Sequence, residues 1–478
     1  MLTRRDLVRA SCATLLAAPA IHAGPRRRED ELRLAVAGLN GRGAFHVDAL
    51  RGIEGVRVVA LVDVDEEVLA REVAKFRERD ERVAAYADLR DVLERNDVDA
   101  ISVATPNHWH ALHAIWACQS GKDVYLEAPI THRLPEGTIV VEAARRYGRI
   151  VQSGLQGRSS TGIAEALAWV RAGNLGAIRI ARGLCYAERP SIGNVDDPQK
   201  IPDHVDYDLW CGPAPLQALQ RARLHHDWRW VYATGNGELG NESLHQLDLC
   251  RRALGENRLP ASVQSIGARL GYDDDGETPN TQLVLFGYEI PLLLEIRGLP
   301  DPVREASTGS SDDVYQGVSV GTILHCEGGT LAFDGLETAV ARDGAGAEIR
   351  RWSGTRDHFE NFIAAVRSRR SESLSADVVE GHLTSSLCHL ALASQRLGVP
   401  AGHKEILEAV KNSEATTETF QRLCLHLDAH AIDPEKTPLE LGPCLIFDPG
   451  CERFLGDERA NRLLVGEYRE PYLLPEQV

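Results

Sequence analysis

Six residues, Gly38-Leu39-Asn40-Gly41-Arg42-Gly43, follow a short apolar run, and a carboxylate, Asp63, closes the next apolar run. Glycines in such a turn let main-chain N–H groups approach a diphosphate at the positive end of a helix. An acid at the tip of the second strand, roughly 20 residues on, binds ribose hydroxyls. The usual G-x-G-x-x-G spacing has Asn40 at its second glycine, with Gly41 after it. Asparagine tolerates positive φ better than most residues. The turn is therefore expected to persist, with a looser approach to the diphosphate. Asp63 would repel a 2′-phosphate, which favours NAD over NADP.

The elements that must position these residues alternate in type. Apolar runs at 34–37, 56–62, 98–104, 123–126 and 150–153 read as buried strands, and 66–79, 110–119 and 137–146 as helices. Repeated βα units predict a doubly wound parallel sheet, a Rossmann domain over 32–155. Ligands of such sheets sit beyond the strand C-termini. Gly38 to Gly43, Asp63, Thr105-Pro106-Asn107-His108, Glu127 to Pro129 and 152–158 should therefore meet at one crevice. Beyond residue 156 the pattern changes. Strand-like runs at 178–185, 263–270, 281–286, 292–297 and 318–326 predict an α+β domain with a large mixed or antiparallel sheet over 156–412. A long insert, 187–241, is rich in Pro, Gly, Asp and Trp, and long loops within domains are usually functional. Residues 357–368 and 377–397 read as helices, and 413–478 as an extension wrapped on a surface. The fold class is α/β.

Composition narrows the partners. The chain has 478 residues, 43% hydrophobic and 26% charged, with a formal net charge of −17. That balance argues against nucleic acid and anionic membrane. Only six lysines occur: Lys75, Lys122, Lys200, Lys404, Lys411 and Lys436. Arg4-Arg5 precede an uncharged run too short to span a bilayer, then small residues, which reads as a twin-arginine signal over 1–23 and implies export in the folded state. No other stretch approaches a membrane span. Ten scattered cysteines without C-x-x-C pairs are not a disulfide framework. His108, His110 and His113, and the His225-His226-Asp227 cluster, lack a converging set of ligands, so no metal is expected.

The motifs Gly38 to Gly43, Thr105-Pro106-Asn107-His108-Trp109-His110, Tyr125-Leu126-Glu127-Ala128-Pro129 and His245-Gln246-Leu247-Asp248 resemble those of the Gfo/Idh/MocA oxidoreductases, most closely the secreted twin-arginine forms. The resemblance implies a sugar or polyol substrate, a tightly held NAD(P), and a homo-oligomer paired through the C-terminal sheet. It places the cofactor on Gly38, Asn40, Gly41, Arg42, Gly43, Asp63, Thr105, Pro106, Asn107, His108, His110, Glu127 and Gln156. It also departs at one position. The family's Glu-Lys-Pro lysine is Ala128 here. An alanine can neither hydrogen-bond an alkoxide nor move a proton. Lys122 lies six residues earlier, roughly 20 Å away at strand rise; Lys200, in the insert, is the remaining candidate to reach in.

Proton transfer then falls to His245, which matches the family's histidine, with Asp248 one helical turn later to orient it or to bind sugar hydroxyls. Arg158, Tyr186, Trp228 and Asn241 are the substrate-binding candidates, since indole faces stack on sugars and guanidinium groups bind hydroxyls. The expected function is an exported NAD(P)-dependent oxidoreductase acting on a sugar or polyol hydroxyl. The alternatives are a glycoside hydrolase or lyase working by transient oxidation, and a catalytically silent carbohydrate-binding protein.

Overall fold

A computed structural model describes residues 31–300, 313–475 and 478. The segment read as an export signal lies outside them. The N-terminal half runs β1 (Leu32–Ala37), α1 (Arg42–Arg51), β2 (Val56–Val62), α2 (Glu66–Arg77), β3 (Ala84–Tyr86), α3 (Leu89–Leu93), β4 (Ala100–Val103), α4 (Asn107–Gln119), β5 (Asp123–Leu126), α5 (Leu134–Arg146) and β6 (Val151–Ser153). The strands form one parallel sheet in the order β3-β2-β1-β4-β5-β6. The order reverses between β1 and β4, and the glycine turn leaves β1 at that switch point.

Strand β1 shows why the run has no polar face. Leu34 and Val36 enter the core on one side of the sheet, Ala35 and Ala37 the core on the other, and all four are fully buried. The side of Leu34 is completed from far along the chain by α10 (residues 358–368), whose Phe359, Phe362, Ile363 and Val366 pack beside Leu50 and Tyr125. Each such side chain contributes roughly 1.5–3 kcal/mol, so the later part of the chain helps to hold the N-terminal sheet.

The second half continues with α6 (Thr161–Arg171), β7 (Ile178–Cys185), α7 (Tyr207–Cys211), α8 (Leu224–Asp227), α9 (Ser243–Leu254), β8 (Ser262–Ala268), β9 (Thr281–Phe286), β10 (Leu292–Arg297), β11 (Val320–Cys326), β12 (Gly329–Asp334), β13 (Thr338–Asp343) and β14 (Glu348–Ser353). After α10 come α11 (Val378–Arg396), β15 (Val399–Ala401), α12 (His403–Val410), α13 (Glu414–Ala429), β16 (Leu439–Leu441), β17 (Leu445–Asp448), β18 (Arg453–Phe454) and α14 (Glu458–Val465). A mixed sheet runs β14-β13-β12-β11-β7-β10-β9-β8-β16-β15. Strand β9 alternates faces: Val284 and Phe286 meet α9 and α11, whereas Leu283 and Leu285 meet α12 and α13. Strands β12 to β14 were not expected from the sequence. Residues 413–478 do more than wrap a surface: α13 covers the sheet and β16 and β17 pair with β8. All nine cysteines among the described residues are free, and no described helix is long and apolar enough to cross a membrane.

The entry to α1 is the tightest joint. Gly38 takes a φ of +79° and Gly41 of +93°. A Cβ on Gly43 would lie 1.6 Å from the Gly38 carbonyl oxygen. Gly43→Ala is therefore expected to cost about 3 kcal/mol or more, read as a lower urea midpoint; an unchanged midpoint would contradict this packing.

Candidate dinucleotide site

The glycine turn opens onto a cleft of about 320 Å³ lined by Gly38, Asn40, Gly41, Arg42, Asp63, Thr105 and Pro106. No side chain caps α1, and its first turn carries no acid, so its leading amides have no side-chain acceptor. A Cβ at Gly41 would meet nothing within 4 Å, so the turn presents bare backbone to open space. Asp63 is fixed from behind: its Oδ2 accepts from the Leu39 amide at 2.7 Å and its Oδ1 from the Asp65 amide at 3.0 Å. Burial pushes its carboxyl above the usual value, against those two amide bonds. Each oxygen keeps a lone pair for a ribose hydroxyl. Bare helix-end amides beside a held carboxylate fit a nicotinamide dinucleotide.

Across the strand tips sits Glu127, 8% exposed. Its Oε1 accepts from Arg42 Nε at 2.7 Å, His46 Nε2 at 2.8 Å and Gln156 Nε2 at 3.1 Å. The other ring nitrogen of His46 bonds Ser102 Oγ at 2.8 Å. Burial works against the Glu127 charge. The hydrogen bond and charge of His46, with the Arg42 guanidinium, outweigh that and hold the carboxyl well below its ordinary range. Arg42 and His46 stand four apart on α1, the spacing that puts both on one face.

Three consecutive residues after β6 carry this network toward α9. Gln156 holds Glu127, Gly157 lines a small recess with His245 and Leu336, and Arg158 pairs with Asp248. No hydrogen bond of the His245 ring is formed to the described residues. Ala128 is half-buried against the core that α9 and α11 share with the mixed sheet, and the two lysines the sequence offered in place of the motif lysine are engaged elsewhere. Lys122 donates to the Arg95 and Val98 carbonyls, and Lys200 is an exposed partner of Asp203.

Several sequence candidates are engaged elsewhere. Asp248 does not orient His245: both its oxygens accept from Arg158, at 2.8–3.0 Å, and Oδ1 also from Thr384. Burial raises the cost of its charge, but Arg158 holds the carboxyl below its usual value. Arg158 in turn is spent on Asp248 and Glu380, so it is no free sugar ligand. Tyr186 is fully buried and donates to Glu295 at 2.6 Å within an arginine cluster. Trp228 lines the dinucleotide cleft, while Trp230 is buried beneath Arg269. Asn241 makes one long bond, 3.5 Å, to Glu238 just before α9.

The Thr105 to His110 segment is stitching. Asn107 donates to Asn236, and the His108 ring contacts the Thr234 and Trp210 carbonyls. The His110 ring lies between the Pro129 and Thr105 carbonyls. Burial keeps His108 neutral, down to about 4, and lowers His110 also. His113, His225 and His226, weighed in the sequence only as metal ligands, also line the cleft, as do Trp109 and Arg229. The insert residues among them carry no local motif. Among the described residues no group of three or more His, Cys, Asp or Glu could hold a metal ion.

Comparison with known proteins agrees with this geometry. The Gfo/Idh/MocA oxidoreductase family model for an NAD-binding Rossmann fold matches residues 32–155, and the model for that family's C-terminal alpha/beta domain matches 191–276. Both support a place in this oxidoreductase family. A 4-carboxy-2-hydroxymuconate-6-semialdehyde dehydrogenase of Sphingobium sp. is 27% identical over 193 residues, 40% of this chain and 60% of the relative. A glycosyl hydrolase family 109 protein of Shewanella sp. is 34% identical over 122 residues, 24% of this chain and 27% of the relative. The chain thus spans less than two thirds of the curated relatives it matches. Among solved structures, the WlbA dehydrogenase from Bordetella pertussis in complex with NADH and UDP-GlcNAcA superposes with a TM-score of 0.55 at 20% identity, covering 77% of this chain and 98% of that one. A levoglucosan dehydrogenase in complex with NADH gives 0.54 at 15%, covering 76% and 96%. These two share the fold.

Glu127→Gln removes the charge on which Arg42 and His46 converge. The expected loss at pH 7 is about 2–3 kcal/mol. A carboxyl held low contributes stability that is present above its unfolded value of 4.5 and fades as pH falls toward its folded one. The gap between wild type and variant should therefore narrow below about pH 4.5 in denaturation midpoints; a gap independent of pH would contradict the ion pair.

Proposed function

We propose that this chain, whose two domains match models of one oxidoreductase family, is an exported NAD-dependent oxidoreductase that acts on a sugar or polyol hydroxyl. The observation that carries the reading is the cleft itself: uncapped amides at the glycine turn face the same space as Asp63, whose carboxylate is held from behind. Gly38, Gly41 and the α1 amides would hold the diphosphate, and Asp63 the adenosine ribose. A nicotinamide dinucleotide bound there supplies a hydride acceptor. Asp63 favours NAD over NADP, since a 2′-phosphate would meet its charge.

His245 is the group proposed to receive the hydroxyl proton. Its ring is uncommitted, and it stands on α9 beside the segment that leaves Glu127. Ala128 offers no side chain for that task. Asp248 acts at one remove, holding Arg158 against α9. A fold relative in complex with UDP-GlcNAcA, and another named a levoglucosan dehydrogenase, make a sugar the first substrate class to try.

A second reading has a specific observation in its favour. Without the motif lysine, and with glycosyl hydrolase relatives, transient oxidation could serve bond cleavage, the hydride then returning to the product. Net product redox separates the two: oxidised sugar in the first case, hydrolysed glycoside in the second.

Two measurements test the main reading. His245→Ala should keep bound dinucleotide but reduce it with sugar at least about 100-fold more slowly, followed by the absorbance of the reduced nicotinamide; wild-type rates would remove His245 from the reaction. Asp63→Ala should weaken NAD about tenfold or more while leaving NADP unchanged or tighter. Equal loss for both nucleotides in a binding titration would contradict the ribose role.

A further inference from the structure

The insert between β7 and α9 does not stand off from the first domain. Asp65, which caps α2 through the Glu67 and Val68 amides, also meets His204 Nδ1 at 3.0 Å and His225 Nε2 at 2.8 Å. The Glu66 amide donates to the His204 carbonyl and the Asp206 amide to the Val64 carbonyl. On α4, Trp109 Nε1 donates to the Leu209 and Trp210 carbonyls, and Asn107 holds Asn236. These bonds place His225, His226, Trp228 and Arg229 on the same cleft as the glycine turn.

Charge makes Arg229 the informative one. The cleft is lined by two carboxylates, Asp63 and Asp88, and by two guanidinium groups, Arg42 and Arg229. Arg42 is committed to Glu127. The Arg229 side chain makes one hydrogen bond, from Nε to the His226 carbonyl, lies 5.9 Å from the centroid of the Trp228 ring, and forms no ion pair among the described residues. Glu238, the carboxylate whose charge acts most on Arg229, already has both oxygens bonded to Arg189. Burial pulls the guanidinium below its ordinary value, against the charges of Glu238 and Asp227, which offset it only in part. Its backbone is held rigidly: the Gly237 amide donates to the Arg229 carbonyl, and a Cβ on Gly235 would lie 2.5 Å from the Arg229 Cα. A protein does not keep an uncompensated cation in a sheltered cleft without cost.

We infer that the insert is a cover over the dinucleotide cleft and that Arg229 is the cation that reaches the diphosphate from the side opposite the α1 amides. The inference rests on the dinucleotide reading of the cleft. A ligand gripped from both domains leaves only when the insert lifts or Arg229 lets go, so Arg229 sets the rate of release more than the rate of entry. An exported protein, working where free NAD is scarce, would gain from slow release.

The test uses the full-length protein, with NADH as probe, and measures its dissociation rate together with the thermal midpoint of the stripped protein. Arg229→Met keeps the stem and removes the charge. It is expected to speed NADH dissociation at least about tenfold, and to leave the stripped protein equally or more stable, because a half-buried cation without an ion-pair partner has gone. Arg229→Lys, which keeps the charge, should stay within about threefold of wild type. Wild-type dissociation in Arg229→Met overturns the inference and leaves the proposed function standing. A stripped Arg229→Met protein that is less stable assigns Arg229 to structure and also overturns it; the Lys variant's release rate then shows whether charge alone matters, and a rate far above wild type counts against it. A wild type that binds neither NAD nor NADH fails at the earlier step and removes both readings.

Discussion

One buried carboxylate ties the candidate site together. Glu127 Oε1 is shared by Arg42, His46 and Gln156, so α1, β5 and the exit of β6 meet at one oxygen, and His46 adds β4 through Ser102. A carboxylate removed from water is costly unless its partners are close and well aimed. Here all three donors are within 3.1 Å. Its consequence is positional: the glycine turn cannot shift relative to the later strands without breaking that cluster. The same thread continues through Gly157 and Arg158 to Asp248, so the face of α9 that carries His245 is referred back to the glycine turn.

Much of the first domain was legible because its signals are local. Five apolar runs ended in Gly, Asp, Thr-Pro-Asn or Glu-Ala-Pro, and each became a parallel strand. β3 was the exception: Ala84 to Tyr86, three residues with the middle one exposed, are too short to carry a pattern. In the second domain Thr281–Phe286 and Leu292–Arg297 stood out as apolar runs. Strands β12 to β14 did not, since Thr338–Asp343 and Glu348–Ser353 mix charged and apolar residues near a sheet edge where one face meets water. The site was legible by residue type and less by partner. Asp248 looked like an orienting acid for His245 at i,i+3, but its carboxylate turned to Arg158, 90 residues away. No spacing rule along one helix anticipates that. Tyr186 failed similarly: Glu295, the acceptor of its hydroxyl, sits on a different strand.

Ala128 and the insert bear on the same chemical problem. Lacking a lysine, the proposed reaction falls to His245, a histidine that the described contacts leave free. Fastened to α2 and α4, the insert shelters the other end of the cleft. A bound hydride carrier that seldom leaves has to be returned to its starting state on the protein, which suits either coupled oxidation and reduction of two sugars or oxidation followed by reduction within one. Both proposed chemistries would use the same His245 and the same cleft, and would differ only in what departs.

The most direct measurement is a crystal structure of the protein with NADH. The expected result is a dinucleotide with its diphosphate against the amides of residues 38–43, its adenosine ribose on Asp63 and Arg229 closing from above. A cleft filled by protein side chains, or NADH bound away from the glycine turn at saturating concentration, would contradict the assignment on which the rest is built.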